Sequence, residues 1–169
     1  RGFESLISHR PVLPQLLAPI PKGILKIKLE EGQTIKPHQN LKAQINFDPS
    51  GEPVAGIDAI LTFDPKAISL IKIDDNEEIF EQILINRQQK NQGRVKITAY
   101  LPKKMLQTQE TLAFLTFQLL KPQRAILGIE FSGANVTSDS NLVSQMTQRD
   151  LLGQVVSLVL NPEETSKGQ

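Results

Sequence analysis

Apolar residues recur at every second position along most of the chain. The clearest stretch runs from Val54 to Asp74. There Ala55, Ile57, Ala59, Leu61 and Phe63 share one phase, and Asp58 and Thr62 take the other. A period of two is the spacing of a half-buried strand, because successive side chains leave opposite faces. Asp64-Pro65 then breaks the ladder, since proline lacks an N–H and pushes the residue before it towards extended geometry. A second β-rich run follows from Ile68 to Ile73. Its apolar phase slips between Leu70 and Ile71, which predicts a bulge or a strand buried on both faces.

The same alternation recurs on either side. Leu25, Ile27 and Leu29 point inward, with Lys26 and Lys28 outward, before a turn at Glu30 to Gln33. Leu41, Ala43, Ile45 and Phe47 form the next inward set, with Lys42, Gln44 and Asn46 outward, and Asp48 to Pro53 is a dense turn cluster. Further strands are expected over Ile79 to Ile85, Arg94 to Leu101, Thr111 to Leu120, Gln123 to Phe131 and Gln154 to Leu160. Asp74 to Glu78, Asn86 to Gly93 and Ser132 to Asn141 read as loops, and Gln145 to Leu152 as a helical turn or loop. Short strands at this spacing, with no persistent helical period, predict an all-β fold: an antiparallel two-sheet sandwich of about nine strands. The domain spans residues 23–161. Residues 1–22, with Pro11, Pro14, Pro19 and Pro21, read as an extended N-terminal lead or linker, and residues 162–169 as a disordered polar tail.

Composition narrows the function. The 169 residues carry 19 basic and 18 acidic side chains, a formal charge of +1. That balance implies no nucleic-acid partner, because phosphate binding needs a basic excess or stripe. The chain has no cysteine, so disulfides, thiolate zinc sites and cysteine nucleophiles are excluded. Its two histidines, His9 and His38, fall in Pro-containing flanks outside the strong strands, which leaves little for histidine-based catalysis. No run of about 20 apolar residues is present to span a membrane. The chain opens on Arg1, which reads as a processed or trimmed product. Arg1-Gly2-Phe3 is faintly similar to a pilin cleavage site, but no long apolar helix follows.

Candidate chemistry is sparse. Asp74 to Glu78 could offer carboxylates to calcium, yet the cluster lacks the loop pattern and distal glutamate of a calcium site. It reads as a solvated acidic loop, as does Asp139 near Asn135 and Asn141. Asp58 and Glu130 are the carboxylates on strands that a glycosidase would need, with nothing to make them face each other. With no Trp, one Tyr and seven Phe, mostly on core faces, the chain has no row of exposed aromatics for a crystalline polysaccharide. Hydrogen bonding to a single sugar chain stays open. No catalytic, metal or cofactor site is expected.

Several stretches taken together resemble the cohesin domain. Gly56, Leu61, Phe63-Asp64-Pro65, Ile68 and Ile71 or Ile73 are similar to that family's pattern around a Tyr-Asp-Pro corner. Gly93 to Tyr100 and Thr111 to Phe117 are similar to two later strands. Ile129 to Phe131, Ala134-Asn135-Val136, Asp139 and Gly153 to Leu160 are similar to its last ones. Glu110 stands where glycine is common in the family. The resemblance covers about Gly23 to Asn161. It implies a flattened jelly roll of about nine strands and a non-catalytic, exported module that docks a calcium-loaded dockerin. On the strands that carry the family's docking sheet, the outward residues expected here are Asp58, Ile60, Thr62, Lys96, Thr98, Tyr100, Thr116 and Gln118. Ile60 and Tyr100 are the pair most costly to leave bare, which favours a protein partner over plain solvent. Two other readings stay open: a carbohydrate-binding domain of a polysaccharide-degrading system, and a structural spacer of a surface or secretion apparatus.

Overall fold

The computed structural model describes residues 20–133 and 138–166. The N-terminal lead up to residue 19, with His9, lies outside the described residues, as do Asn135 and the last three residues. Eleven strands form the domain: β1 (Gly23–Leu29), β2 (Asn40–Asp48), β3 (Val54–Thr62), β4 (Ile68–Asp75), β5 (Phe80–Asn86), β6 (Arg94–Pro102), β7 (Glu110–Leu119), β8 (Ala125–Ile129), β9 (Asn141–Ser144), β10 (Leu152–Val156) and β11 (Leu158–Leu160). They build two sheets. The first has the order β10-β1-β2-β7-β4. The second has the order β11-β8-β3-β6-β5, with β9 on the same edge of β3 as β8.

The alternating positions close on each other as expected. Leu25, Ile27, Leu41, Ala43, Ile45, Leu115 and Phe117 from the first sheet meet Ile57, Ala59, Leu61, Val95, Ile97 and Leu127 from the second. Each large apolar side chain removed from water in this way contributes about 1.5–3 kcal/mol. Phe47 and Phe80 join the two layers, with ring centroids 6.3 Å apart.

The corner after β3 is built as the sequence indicates. Asp64 Oδ1 accepts from the Lys66 amide, and the Asp64 carbonyl from the amides of Ala67 and Ile68. Gly93 packs against this corner. Its φ is +82°, and a Cβ there would lie 1.8 Å from the Phe63 carbonyl oxygen, so no other residue fits. In β4 the register against β7 shifts between Leu70 and Lys72. Ile71 is the extra residue and is exposed, while Leu70 and Ile73 stay buried. The phase slip is a bulge.

Three expectations change. The closing run is two strands, because the chain crosses between sheets at Ser157: β10 runs parallel to β1, and β11 pairs antiparallel with β8. The end of the Ser132 to Asn141 loop enters a strand, β9, at Asn141. The tail is not loose as far as Ser166. Its Glu163 amide donates to the Ile35 carbonyl, the Ile35 amide to the Glu164 carbonyl, and the Ser166 hydroxyl to the Glu30 carbonyl. These polar residues lie along 32–35 because the backbone groups there have no other strand to pair with.

Candidate functional site

The outer face of the second sheet is set by the strand register. Across β5, β6 and β3, Gln82 stands beside Tyr100 and Gly56, Leu84 beside Thr98 and Asp58, and Asn86 beside Lys96 and Ile60. Arg94 and Thr62 form the next row, with Gly128 of β8 on the far side of Thr62. Asp58, Thr62, Lys96, Thr98 and Tyr100 therefore share one face, as the alternation implied.

Asp58 is the polar centre of this face. One carboxylate oxygen accepts from Thr98 Oγ1 at 2.7 Å and lies 3.9 Å from Lys96 Nζ. The other accepts from Asn141 Nδ2 at 3.2 Å. A carboxylate held from three sides is pre-oriented, so a partner donor meets it without reordering the side chain. Arg94 grips Glu130 through two nitrogens, at 3.1 and 3.4 Å, beside the same face. Asp58 and Glu130 are thus each held by a cation and hydrogen-bond donors.

Apolar groups lie on the same face, Leu84 and Tyr100 beside that centre and Ile126 beyond Thr62. Leu84 is 54% exposed, Tyr100 39% and Ile126 44%, and Val159 pairs with Ile126 on the neighbouring strand. Between Thr62, Arg94, Ile126 and the two glycines Gly93 and Gly128 lies a shallow depression of about 470 Å³. Gly128 keeps it open: a Cβ there would sit 3.0 Å from Thr62 Oγ1.

Two parts of the expected face are corrected. Ile60 has the right phase, but it is buried, at 1% exposure. β8 pairs with β3 only at Leu61 and Thr62, and β9 only from Val54 to Asp58. Glu130 and Ser140 lie along Ile60 instead: the Ile60 amide donates to Ser140 Oγ, and the Ile60 carbonyl accepts from the Glu130 amide. Thr116 and Gln118 lie on β7, between β2 and β4 in the first sheet. They face out of the opposite side of the sandwich, because period two gives the side of a strand and not the sheet to which it belongs. Leu84 and Ile126 were absent from the expected face. Their signal was present, since each is an apolar residue of opposite phase to inward neighbours: Ile83 and Ile85 for one, Ala125 and Leu127 for the other.

The acidic loops are also resolved. Asp74 pairs with Lys72 at 3.4 Å, and Asn76 bonds the Thr111 carbonyl and the Glu78 amide. Asp139 is buried rather than solvated; its Oδ2 accepts from the amide and hydroxyl of Ser132. Among the described residues no group of three or more His, Cys, Asp or Glu is placed to hold a metal ion. No helix among them is long and apolar enough to cross a membrane.

The two-sheet β-sandwich thus presents a broad, partly apolar outer face. The sequence profile of the cohesin domain matches residues 25–155, well over half of the chain, and the chain belongs to the cohesin domain family. Solved structures share the fold. The sixth cohesin of scaffoldin B from Acetivibrio cellulolyticus, in complex with a dockerin, superposes with a TM-score of 0.63 at 17% identity, covering 83% of this chain and 99% of that one. A type I cohesin–dockerin complex from Clostridium thermocellum gives 0.60 at 18% identity, over 86% and 98%. The cohesin module of a family 33 glycoside hydrolase from Clostridium perfringens gives 0.62 at 11%, over 85% and 99%. A search among curated proteins finds no match.

Proposed function

We propose that this domain is a non-catalytic receptor module, acting outside the cell or at its surface, that docks a dockerin-like protein on the outer face of the second sheet. One observation carries the reading: Leu84 and Tyr100 stand uncovered beside a carboxylate, Asp58, that its own neighbours already hold in place, and Ile126 stands uncovered at the Thr62 end of the same face. Apolar anchors beside a fixed polar centre, with a polar rim, match the anatomy of protein interfaces. Related cohesins have been solved with dockerins bound, which supports the class of partner. The calcium belongs to the partner in this reading. A stable complex would cover roughly 800 Å² of this face.

Calorimetric titration with a panel of calcium-loaded dockerin modules tests it. Binding that EDTA abolishes, while the circular dichroism of this chain stays unchanged, is the expected result. A folded chain that binds no member of the panel, yet gives specific signal on a glycan array, would replace this reading with the carbohydrate-binding one.

A further inference from the structure

The two long exposed sheet edges differ. β4 ends the first sheet and carries a bulge, with Lys72, Asp74 and Asp75 along it. Bulges and charges are the usual means of stopping an edge from pairing with another chain. β5 ends the second sheet without a bulge, and the one charge within it, Glu81, stands near its start. Its register with β6 is unbroken from Gln82 to Asn86, and its sequence is Phe-Glu-Gln-Ile-Leu-Ile-Asn. β6 is its one strand neighbour among the described residues.

The free backbone groups of β5 can be assigned. The Phe63 amide donates to the Gly93 carbonyl and the Arg94 amide to the Gln89 carbonyl. Antiparallel hydrogen bonding alternates along a strand, so Lys96, Thr98 and Tyr100 turn their amides towards β5. Their partners Asn86, Leu84 and Gln82 answer them. Glu81, Ile83 and Ile85 are left with N–H and C=O groups aimed at the open edge, and Arg87 with its N–H alone, since its carbonyl accepts from the Lys90 amide.

We propose that this edge pairs with the same edge of a second copy, antiparallel, about a two-fold axis through Leu84. In that register Ile83 meets Ile85 of the other copy, and the free amides and carbonyls of each are used. Glu81 meets Arg87, so the only charges along the edge are complementary. Leu84 meets its own counterpart in the non-hydrogen-bonded position, where side chains approach closest. The pattern is self-complementary about its centre, as an isologous contact requires. The axis is perpendicular to the sheet, so the two outer faces look the same way. This inference does not depend on the identity of any partner docked there.

Sedimentation of the full chain from micromolar to millimolar concentration should show a reversible monomer–dimer equilibrium. Glu81→Arg alone, or Arg87→Glu alone, places like charges opposite each other twice per dimer and should weaken association about tenfold. The double swap should restore it. Both positions are exposed, so unfolding curves should not move. The chain has no cysteine, so Leu84→Cys gives a clean readout: it should oxidise to a covalent dimer, whereas Ile71→Cys on the β4 edge should not. A chain that stays monomeric at millimolar concentration overturns the proposal. So does a dimer indifferent to both single swaps, or a Leu84→Cys chain that fails to cross-link while dimeric.

Discussion

The two outer faces of the sandwich are built on the same alternation and differ in what they leave uncovered. On the first sheet the outward positions are mostly lysines, amides and hydroxyls, and several of the amides and hydroxyls bond one another. Lys26 stands beside Asn46, Lys28 beside Gln44 and Lys42 beside Thr116. Thr111 Oγ1 donates to Asn46 Oδ1 at 2.8 Å, and Gln118 Nε2 to Asn40 Oδ1 at 2.8 Å. Phe114 is the one large apolar residue exposed among them; Ile71 sits apart on the bulged edge. On the second sheet the satisfied groups shrink to a cluster around Asp58 and the Arg94–Glu130 pair, and Leu84, Tyr100, Ile126 and Val159 stay uncovered along the face. A face whose polar groups bond each other loses little to solvent. A face with four large apolar groups exposed gains most when something covers it.

That contrast can be broken in several places. The largest effect is expected at Ile60. It has the phase of the second outer face but the burial of the core, so Ile60→Ala should lower the unfolding free energy by about 2–4 kcal/mol in denaturant melts. Thr116→Ala on the first face should move it by less than about 0.5 kcal/mol. Equal effects would mean that Ile60 is a surface residue after all. Next is Tyr100→Ala combined with Ile126→Ala. Loss of two apolar anchors should weaken dockerin binding at least about tenfold by calorimetry, with a small change in melting temperature. Phe114→Ala should leave affinity unchanged, and a matching loss there would erase the distinction between the faces.

A smaller effect is expected from Asp58→Asn, which keeps the shape and removes the charge. Affinity should fall several-fold, with a flatter salt dependence, because a charge-assisted hydrogen bond to the partner becomes a neutral one. The smallest is the coupling of Arg94 with Glu130. Both side chains are partly exposed, at 36% and 40%, so a double-mutant cycle should read about 0.5–1 kcal/mol. The same cycle on Lys72 and Asp74, which are more exposed, should read near zero.

Much of this was legible in the residues, and the reasons for the rest are physical. Period two marked the strands and their inward sets, and a one-residue phase slip marked the bulge at Ile71, because register errors change which face a side chain takes. Asp64-Pro65 marked the corner. What alternation cannot give is long-range pairing. It placed Thr116 and Gln118 on an outward side correctly, but it was the family resemblance that put them on the docking sheet, and β7 lies in the other one. Nor does alternation show what lies over a strand, so Ile60, which has the outward phase but is buried, read as exposed. The crossover at Ser157 and the docking of Glu163 to Ser166 on residues 32–35 depend on unpaired backbone elsewhere in the fold. No local pattern in a polar tail reports that. Leu84 and Ile126 were legible too, as apolar residues of opposite phase to the inward set on their strands.

The most direct test of a one-sided receptor is an amide-resolved NMR titration of the full chain with a calcium-loaded dockerin that binds it. The account predicts that perturbed amides gather on Asp58, Thr62, Leu84, Lys96, Thr98, Tyr100 and Ile126. Perturbations centred instead on Lys42, Phe114, Thr116 and Gln118, across the sandwich, would contradict it.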